Sequence, residues 1–547
     1  MDQGRSVALP ASPVPGRRPD ANPLRRAALV VGVVAAGLLA LLYAYPVGRV
    51  LIEGFRWSAV VEVLSDARLW GVGWFSLWQA ALSTLGVMLI AVPFAGILAR
   101  REVVGRRVLL AAIAAPFTLP TVVVASALRE TLPTRFATGV TAIICAHIFY
   151  NIGAATLIVL PRFEAVDRSL LDAARTLGES PARAIRTVEL PLVASAVRSA
   201  ALLVFTLCFT SFGVVILLGG ARRTTIDVEI YRQALQRLRL DRAAVLSVLQ
   251  LAMLAALAFA ATRVTSPNNS NRPQRVGRRP VDVRISVALY ATVGIMLLPL
   301  GFLIRRSLEE PTGGVGFGNF RALPRATKGS GLLDPPIHSV VVSARTALLA
   351  ATLAMAIGGA LAIASQEAGR GSSTFRLIGS LPLATSSVQL GLGFLFAFAS
   401  APIAWRSRWF AVPLVQAVIA VPFVIRQISP SLEAVPRSLR QAATTLGARP
   451  WRAWSTIDAR IISGAWGSAF AIALAVALGE FGAATFLARP DAATVPVAIA
   501  RLSGRPGAVV QGQAAALSVV LGALTLLVVL LGRLLGGRQS PFRNSRS

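Results

Sequence analysis

Lysine is all but missing from this chain: Lys328 is the only one. A phosphate-cradling Gly-x-x-x-x-Gly-Lys loop is therefore excluded, and any nucleotide has to bind another polypeptide. Histidine is almost as scarce, with His147 and His338 far apart in sequence. The two cysteines, Cys145 and Cys208, have no local partner. Such a set builds no Cys-x-x-Cys site, no disulfide framework and no catalytic cluster, so neither a metal site nor an enzyme is expected. Charge is thin as well, at 14% of residues against 55% hydrophobic. So little charge does not solvate a soluble fold of 547 residues, which leaves an all-α, polytopic membrane protein.

Most of the charge present is arginine, and the net of +31 could point to nucleic acid. The arginines lie between apolar runs, however, where inner-face loops of membrane proteins collect them. The lipid bilayer is the expected partner, and nucleic acid is not.

Crossing a bilayer takes about 20 mainly apolar residues. Runs of that kind occur at 27–46, 72–98, 108–128, 138–161, 197–219 and 243–262. Six more follow at 285–304, 339–364, 377–399, 409–428, 464–487 and 513–532. The chain thus divides into a first transmembrane domain at 27–262, a charged linker at 263–284 and a second domain at 285–535. Polar tails at 1–26 and 536–547 flank them, the first rich in Pro and Arg and read as disordered. The arginine distribution favours both termini in the cytoplasm. One segment fits poorly: Ala221–Arg242 would lie outside with six arginines, and is read as an extracytoplasmic amphipathic helix. Arg345 and Glu480 are charges within spans, and a pairing between them is one way to hold both.

The chain also matches itself at a constant offset of 269 residues. Residues 162–178 read RFEAVDRSLLDAARTLG and 431–447 read SLEAVPRSLRQAATTLG, identical at 11 of 17 positions. The register holds onward, pairing Phe212-Gly213 with Phe481-Gly482 and Thr225 with Thr494. An ungapped match of this length indicates duplication and fusion, here of two parallel six-helix halves. Each copy lies between the fourth and fifth spans of its half and reads as helix, glycine break, helix. Small residues at Ala173 and Ala174, before a turn at Gly178, would let a partner's surface approach the helix closely.

The spacing Asp172-Ala173-Ala174, Gly178, nine residues, Val188-Glu189-Leu190-Pro191 resembles the EAA loop of binding-protein-dependent ABC importer permeases of type I. The second copy has Gln441-Ala442-Ala443, Gly447 and Ile457, but Ala459-Arg460 where Leu-Pro is expected. The resemblance implies that both loops are coupling helices seated in an ATPase, present in two copies. It also implies that ATP and Mg are held by that partner, none being bound by this chain, and that an extracytoplasmic binding protein delivers the solute. The location implied is the bacterial inner membrane, with the permease multi-pass and fused.

Further runs resemble the fused thiamine permeases, with the ferric-iron permeases close behind: FSLWQAALSTL at 75–85, His147-x-Phe149-x-Asn151, LCFTSFGVVILLGG at 207–220 and TTIDVEIYRQAL at 224–235. Thiamine is a cationic aromatic, suited by ring walls and an occasional acid. Trp74, Trp78, His147, Asn151, Phe209, Phe212, Glu480 and Phe481 are the candidates for a path, although rings in spans more often pack or face lipid. Ferric iron prefers hard oxygen ligands, and no acid cluster falls within the spans. An ion-coupled carrier would place several acids there, where Glu480 is the one found.

Overall fold

A computed structural model describes residues 23–220, 223–264, 279–280, 283–310, 313–399, 405 and 408–537. The tail expected at 1–26 gives way to helix at Pro23, and the rest of it, most of the linker and nearly all of the last tail lie outside the described residues.

The first half opens with α1 (Pro23–Leu39) and α2 (Tyr45–Gly54), joined by a π-helical turn at Ala40–Ala44 into one long span. A short α3 (Trp57–Ser65) precedes the long α4 (Ala67–Arg100). Next come α5 (Arg106–Thr118), α6 (Thr121–Thr131) and α7 (Val140–Glu164). The repeated loop holds α8 (Arg168–Thr176) and α9 (Pro181–Ala184), followed by α10 (Leu190–Phe209) and α11 (Gly213–Leu218). Then α12 (Ile226–Tyr231) and α13 (Leu240–Val264) close the half.

The second half repeats the order. It runs α14 (Val283–Leu308), α15 (Gly318–Arg321), α16 (Pro336–Glu367), α17 (Ser372–Ser380) and α18 (Ser387–Ala397). Then follow α19 (Ala411–Glu433), α20 (Arg437–Thr445), α21 (Pro450–Ala453) and α22 (Ala459–Gly479). It ends with α23 (Gly482–Leu487), α24 (Val495–Ser503) and α25 (Ala508–Gly537). Among the described residues ten helices are long and apolar enough to cross a bilayer, or twelve if each of two bent pairs is one span. The protein is an all-α, multi-pass membrane protein.

Those bent pairs correct two of the expected spans. The run at 108–128 is not straight but α5 and α6 meeting at 102°, and 377–399 is α17 and α18 meeting at 97°. Pro120 explains the first break, since its ring disfavours helix at Leu119 and it offers no N–H to a preceding turn. In the second, Ser386 caps α18: its Oγ accepts from Gln389 N–H and its own N–H donates to Gln389 Oε1. Two further spans stop early. The one expected at 197–219 ends as a helix at Phe209, and the one at 464–487 ends at Gly479; each resumes as a six-residue helix after a short break.

Ala221–Arg242 is the clearest correction. Among its described residues Thr225 to Ile230 are buried, so α12 is inserted into the protein rather than lying on its surface. Its arginines find acids: Arg237 pairs with Glu229, Arg239 with Glu62 and Asp241, and Arg242 with Glu62 and Asp66. Arg68 also pairs with the fully buried Glu229. Buried charge is tolerated where it is paired in this way.

The halves are interlocked. The first helix of each packs against the partner half, α1 on α16 and α14 on α6. A Cβ on Gly32 would sit 2.3 Å from Ala364 Cβ, so glycine is what allows α1 to approach α16 so closely. A tyrosine fastens each crossing: Tyr43 Oη donates to the Leu381 carbonyl at 2.8 Å, and Tyr290 Oη donates to the Val104 carbonyl.

Candidate functional site

The two repeated loops have the same backbone. In α8 and α20 the last turn closes with Leu177 N–H donating to Ala173 O (3.1 Å) and Leu446 N–H to Ala442 O (3.0 Å). The chain then reverses through Gly178 at φ +91° and Gly447 at φ +79°. Glu179 N–H returns to Ala174 O and Ala448 N–H to Ala443 O, completing a glycine C-cap in each copy. A side chain at either glycine would strain this left-handed turn.

The small residues divide between two tasks. Asp172, Ala173, Gln441 and Ala442 face outward, whereas Ala174 is turned in against the body. The most exposed large hydrophobic of each loop stands one turn beyond the small residues: Leu177 is 86% exposed and Leu446 87%. A bare leucine at the tip of both helices is an apolar knob. Exposed hydrophobicity at the same register in both copies was the signal available.

After each loop the chain enters the next span through a π-helical turn, Ile185–Glu189 and Trp454–Asp458, at matching positions. Leu190 and Pro191 begin α10 directly after the turn. Arg460 stands where Pro191 stands, and the turn forms regardless, so the proline does not cause it. Its consequence is to direct an acid inward: Glu189 and Asp458 are both buried. Arg100 reaches Glu189 (Nη2–Oε2 2.6 Å), and Arg440 reaches Asp458 (Nε–Oδ1 2.7 Å).

From these turns α10 and α22 lead to a central cavity of about 650 Å³ between the halves. His147, Asn151, Phe212, Glu480 and Phe481 line it, together with Phe117, Tyr150 and Phe423. His147 Nδ1 is 3.2 Å from Ser83 Oγ, while its Nε2 and Asn151 Oδ1 have no hydrogen-bond partner among the described residues. The Glu480 carboxylate accepts from the N–H groups of Ala483 (2.7 Å) and Ala484 (2.9 Å), capping α23. Its expected pairing with Arg345 does not form, because the Arg345 guanidinium lies 4.6 Å over the Trp409 ring instead.

The remaining aromatic candidates lie away from the cavity wall. Trp74 is 68% exposed on the outer surface of α4, which is chemically a lipid-facing position. Trp78 packs edge-on against Phe75, and Phe209 is buried in a stack with Phe205. None of the three lines the cavity, and α4, which carries both tryptophans, contributes no residue to its wall.

This architecture has counterparts. Residues 91–308 match the sequence family described as "Binding-protein-dependent transport system inner membrane component". Over that stretch the chain is similar to this class of importer permeases.

Within the class it is similar to the thiamine permeases. It is 28% identical over 559 residues to the thiamine transport system permease protein ThiP of Brucella suis biovar 1 (strain 1330), covering 95% of this chain and 99% of that protein. To the protein of the same name from Escherichia coli (strain K12) it is 26% identical over 499 residues, 86% of this chain and 91% of that one. A third relative, the 2-aminoethylphosphonate transport system permease protein PhnV of Salmonella paratyphi A (strain ATCC 9150 / SARB42), is 28% identical over 258 residues. That alignment takes in 46% of this chain but 93% of PhnV, so one half here corresponds in size to a whole permease there.

Proposed function

We propose that this chain forms the pore of an ATP-driven importer for thiamine, with an extracytoplasmic binding protein delivering the cargo and two copies of a separate ATPase docked on the repeated loops. One observation carries the reading: the two loops share a backbone, and each continues through a π-helical turn into a helix that ends at the cavity. Leu177 and Leu446 would seat in the ATPases, with Asp172, Ala173, Gln441 and Ala442 beside them. Both termini then lie in the cytoplasm of a bacterial inner-membrane protein.

ATP and Mg belong to the partner. Nucleotide shifts the pore only because it binds one arrangement of the assembled complex more tightly than the other. Displacement of α8 and α20 is passed to α10 and α22, and so to Phe212, Glu480 and Phe481 at their far ends. The rings of Phe117, Tyr150, Phe212, Phe423 and Phe481 offer faces to an organic cation, with one carboxylate, Glu480, and one guanidinium, Arg533, on the same wall. Ferric iron, the alternative cargo, would find Glu480 and Tyr150 as the acidic oxygen ligands on this wall.

Cells carrying the chain with its ATPase and binding protein should take up labelled thiamine, and cells lacking the chain should not; ferric iron is the parallel measurement. Gly178→Asp and Gly447→Asp should each lower uptake at least about tenfold while the protein still inserts, since a Cβ strains the turn. Normal uptake in both would remove the coupling assignment. Uptake that survives loss of the ATPase and collapses with an uncoupler would instead mark an ion-coupled carrier.

A further inference from the structure

A second cavity, of about 310 Å³, lies beyond the first and is lined by Arg129, Leu217, Thr485 and Arg501 among others. Three helices run from one cavity to the other. Thr121, Gly213 and Gly482, at the starts of α6, α11 and α23, border the larger space. Further along the same helices, Arg129, Leu217 and Thr485 border the smaller one. The larger cavity is on the side of the repeated loops, because its lining descends α19 to Gln427 and α22 to Ser468, toward α20 and α21.

Two residues line both spaces, Phe212 and Phe481. They occupy matching positions in the two halves, each at the head of a six-residue helix. Both are buried, and their ring centroids are 5.1 Å apart at 31°. Tyr231 meets Phe212 edge-on at 5.5 Å and Phe486 at 6.0 Å, backing the pair from one side. The helices carrying the rings are seated on the broken spans. A Cβ on Gly213 would approach Thr121 Oγ1 to 2.3 Å, and one on Gly482 would approach Ser387 Oγ to 2.2 Å.

We propose that Phe212 and Phe481 are the seal of the transport path, a two-ring plug to which each half contributes one member. Packed apolar rings exclude water and ions from the contact between the cavities. Neither ring can withdraw while its helix stays seated on Thr121 or Ser387, so opening requires α11 and α23 to shift against α6 and α18. Because α10 and α22 connect those helices to separate loops, both loops contribute to opening. The seal rests on the reading of the larger cavity as the path, but its test needs no cargo.

The experiment uses the full complex in sealed membranes without nucleotide, with Cys145→Ser and Cys208→Ala removing the native thiols. Single cysteines replace Ser468 in the larger cavity and Thr485 in the smaller, and a membrane-impermeant maleimide is applied from one face at a time. Ser468→Cys should react only from the repeated-loop face and Thr485→Cys only from the opposite face. Adding Phe212→Ala with Phe481→Ala should make each site react from both faces, at least tenfold faster from the side formerly closed. Phe486→Ala, which removes a neighbouring ring outside the contact, should leave labelling one-sided. Should the double variant fail to accumulate, Phe212→Ala alone is expected to give the same direction of change. One-sided labelling that persists in an assembled Phe212 or Phe481 variant overturns the seal, as does two-sided labelling before either ring is removed. If labelling switches as expected while thiamine is not taken up, the seal stands and the cargo assignment fails.

Discussion

In the first half, buried Glu189 is held by Arg100 from the last turn of α4. In the second, its counterpart Asp458 is held by Arg440, which belongs to the loop helix α20 itself. The exchange is reciprocal: Leu171 stands where Arg440 stands, and Glu367, also within 3.6 Å of Arg440, ends α16 where Arg100 ends α4. The same pattern recurs at the far ends of α10 and α22. Gln79 on α4 donates to the Cys208 carbonyl and Gln416 on α19 donates to the matching Ala477 carbonyl, both at 3.1 Å. What duplication preserved is the need, a buried group requiring a partner at a given place. The residue that meets the need has drifted. One mechanical consequence follows, since the second loop helix is tied to the body by its own side chain and Leu171 cannot supply that tie in the first.

The largest effect expected comes from cutting the tie. Arg440→Leu leaves Asp458 buried without its guanidinium and beside Glu367. Breaking a buried pair costs about 3–5 kcal/mol, and the partial exposure of Arg440 places this one toward the lower figure. Thermal unfolding of the purified permease should show the loss, and ATPase activity should become less dependent on the binding protein. Adding Glu367→Arg copies the arrangement of the first half, with the cation on the span and leucine on the loop. Most of the lost stability should return. A double variant no more stable than Arg440→Leu would mean that the two arrangements are not interchangeable.

Much of this was legible before the structure. The 269-residue offset is a property of letters, and it located both loops, both glycine turns and the Phe212–Phe481 correspondence. The breaks were less visible. Around Thr118–Thr121 and Leu381–Ser387 a few hydroxyl residues are flanked by apolar ones, so hydropathy averaged over a span reports one run where the backbone bends near a right angle. Thr210–Phe212 and Glu480–Phe481 likewise hide helix ends in hydrophobic text. Ala221–Arg242 misled in the other direction. Six arginines suggest a wet surface, but two of them, Arg239 and Arg242, meet acids of α3 and of the turn before α4, far away in sequence. Which rings face the cavity is set by helix rotation, and runs as uniformly apolar as α4 carry almost no record of it.

A second difference lies between the halves. Ser386, the cap of α18, donates to Asp227 of α12 at 2.7 Å, and Gln389 extends the contact to Gln250 at 3.0 Å. Prolines occupy the matching positions on the other side, Pro120 for Ser386 and Pro496 for Asp227, and neither can form this link. Ser386→Ala should therefore destabilise the protein by about 1–3 kcal/mol, the usual effect of depriving a buried acceptor of its donor. Pro120→Ala should change stability less, as no cross-half hydrogen bond is lost. Equal shifts in unfolding temperature would show that this polar contact contributes little to holding the halves together.

The smallest effect concerns the short helices before the second span of each half. In the first, Glu62 of α3 accepts from Arg239 at 2.5 Å and from Arg242, and the Arg242 guanidinium foremost holds its carboxyl below the ordinary carboxylate range. A depressed pKa gives a contribution that is complete above the unfolded value, about 4.3 for glutamate, and is lost as pH falls through the folded value. In the second half α15 relies on an amide, with Asn319 Nδ2 donating to Ser307 O (3.1 Å) and Glu309 O (2.7 Å). One carboxylate joins it there, Glu310, which accepts from the Gly318 N–H at 3.1 Å. Acid should loosen the first cap more than the second. Hydrogen exchange over 57–65, corrected for intrinsic rates, should rise a few-fold between about pH 6 and pH 3.5, with a smaller rise over 318–321. Glu62→Gln should make the first cap nearly insensitive to pH at the price of faster exchange throughout. An acid response of unchanged size in that variant would assign the sensitivity to Asp66 or Asp241 rather than to Glu62.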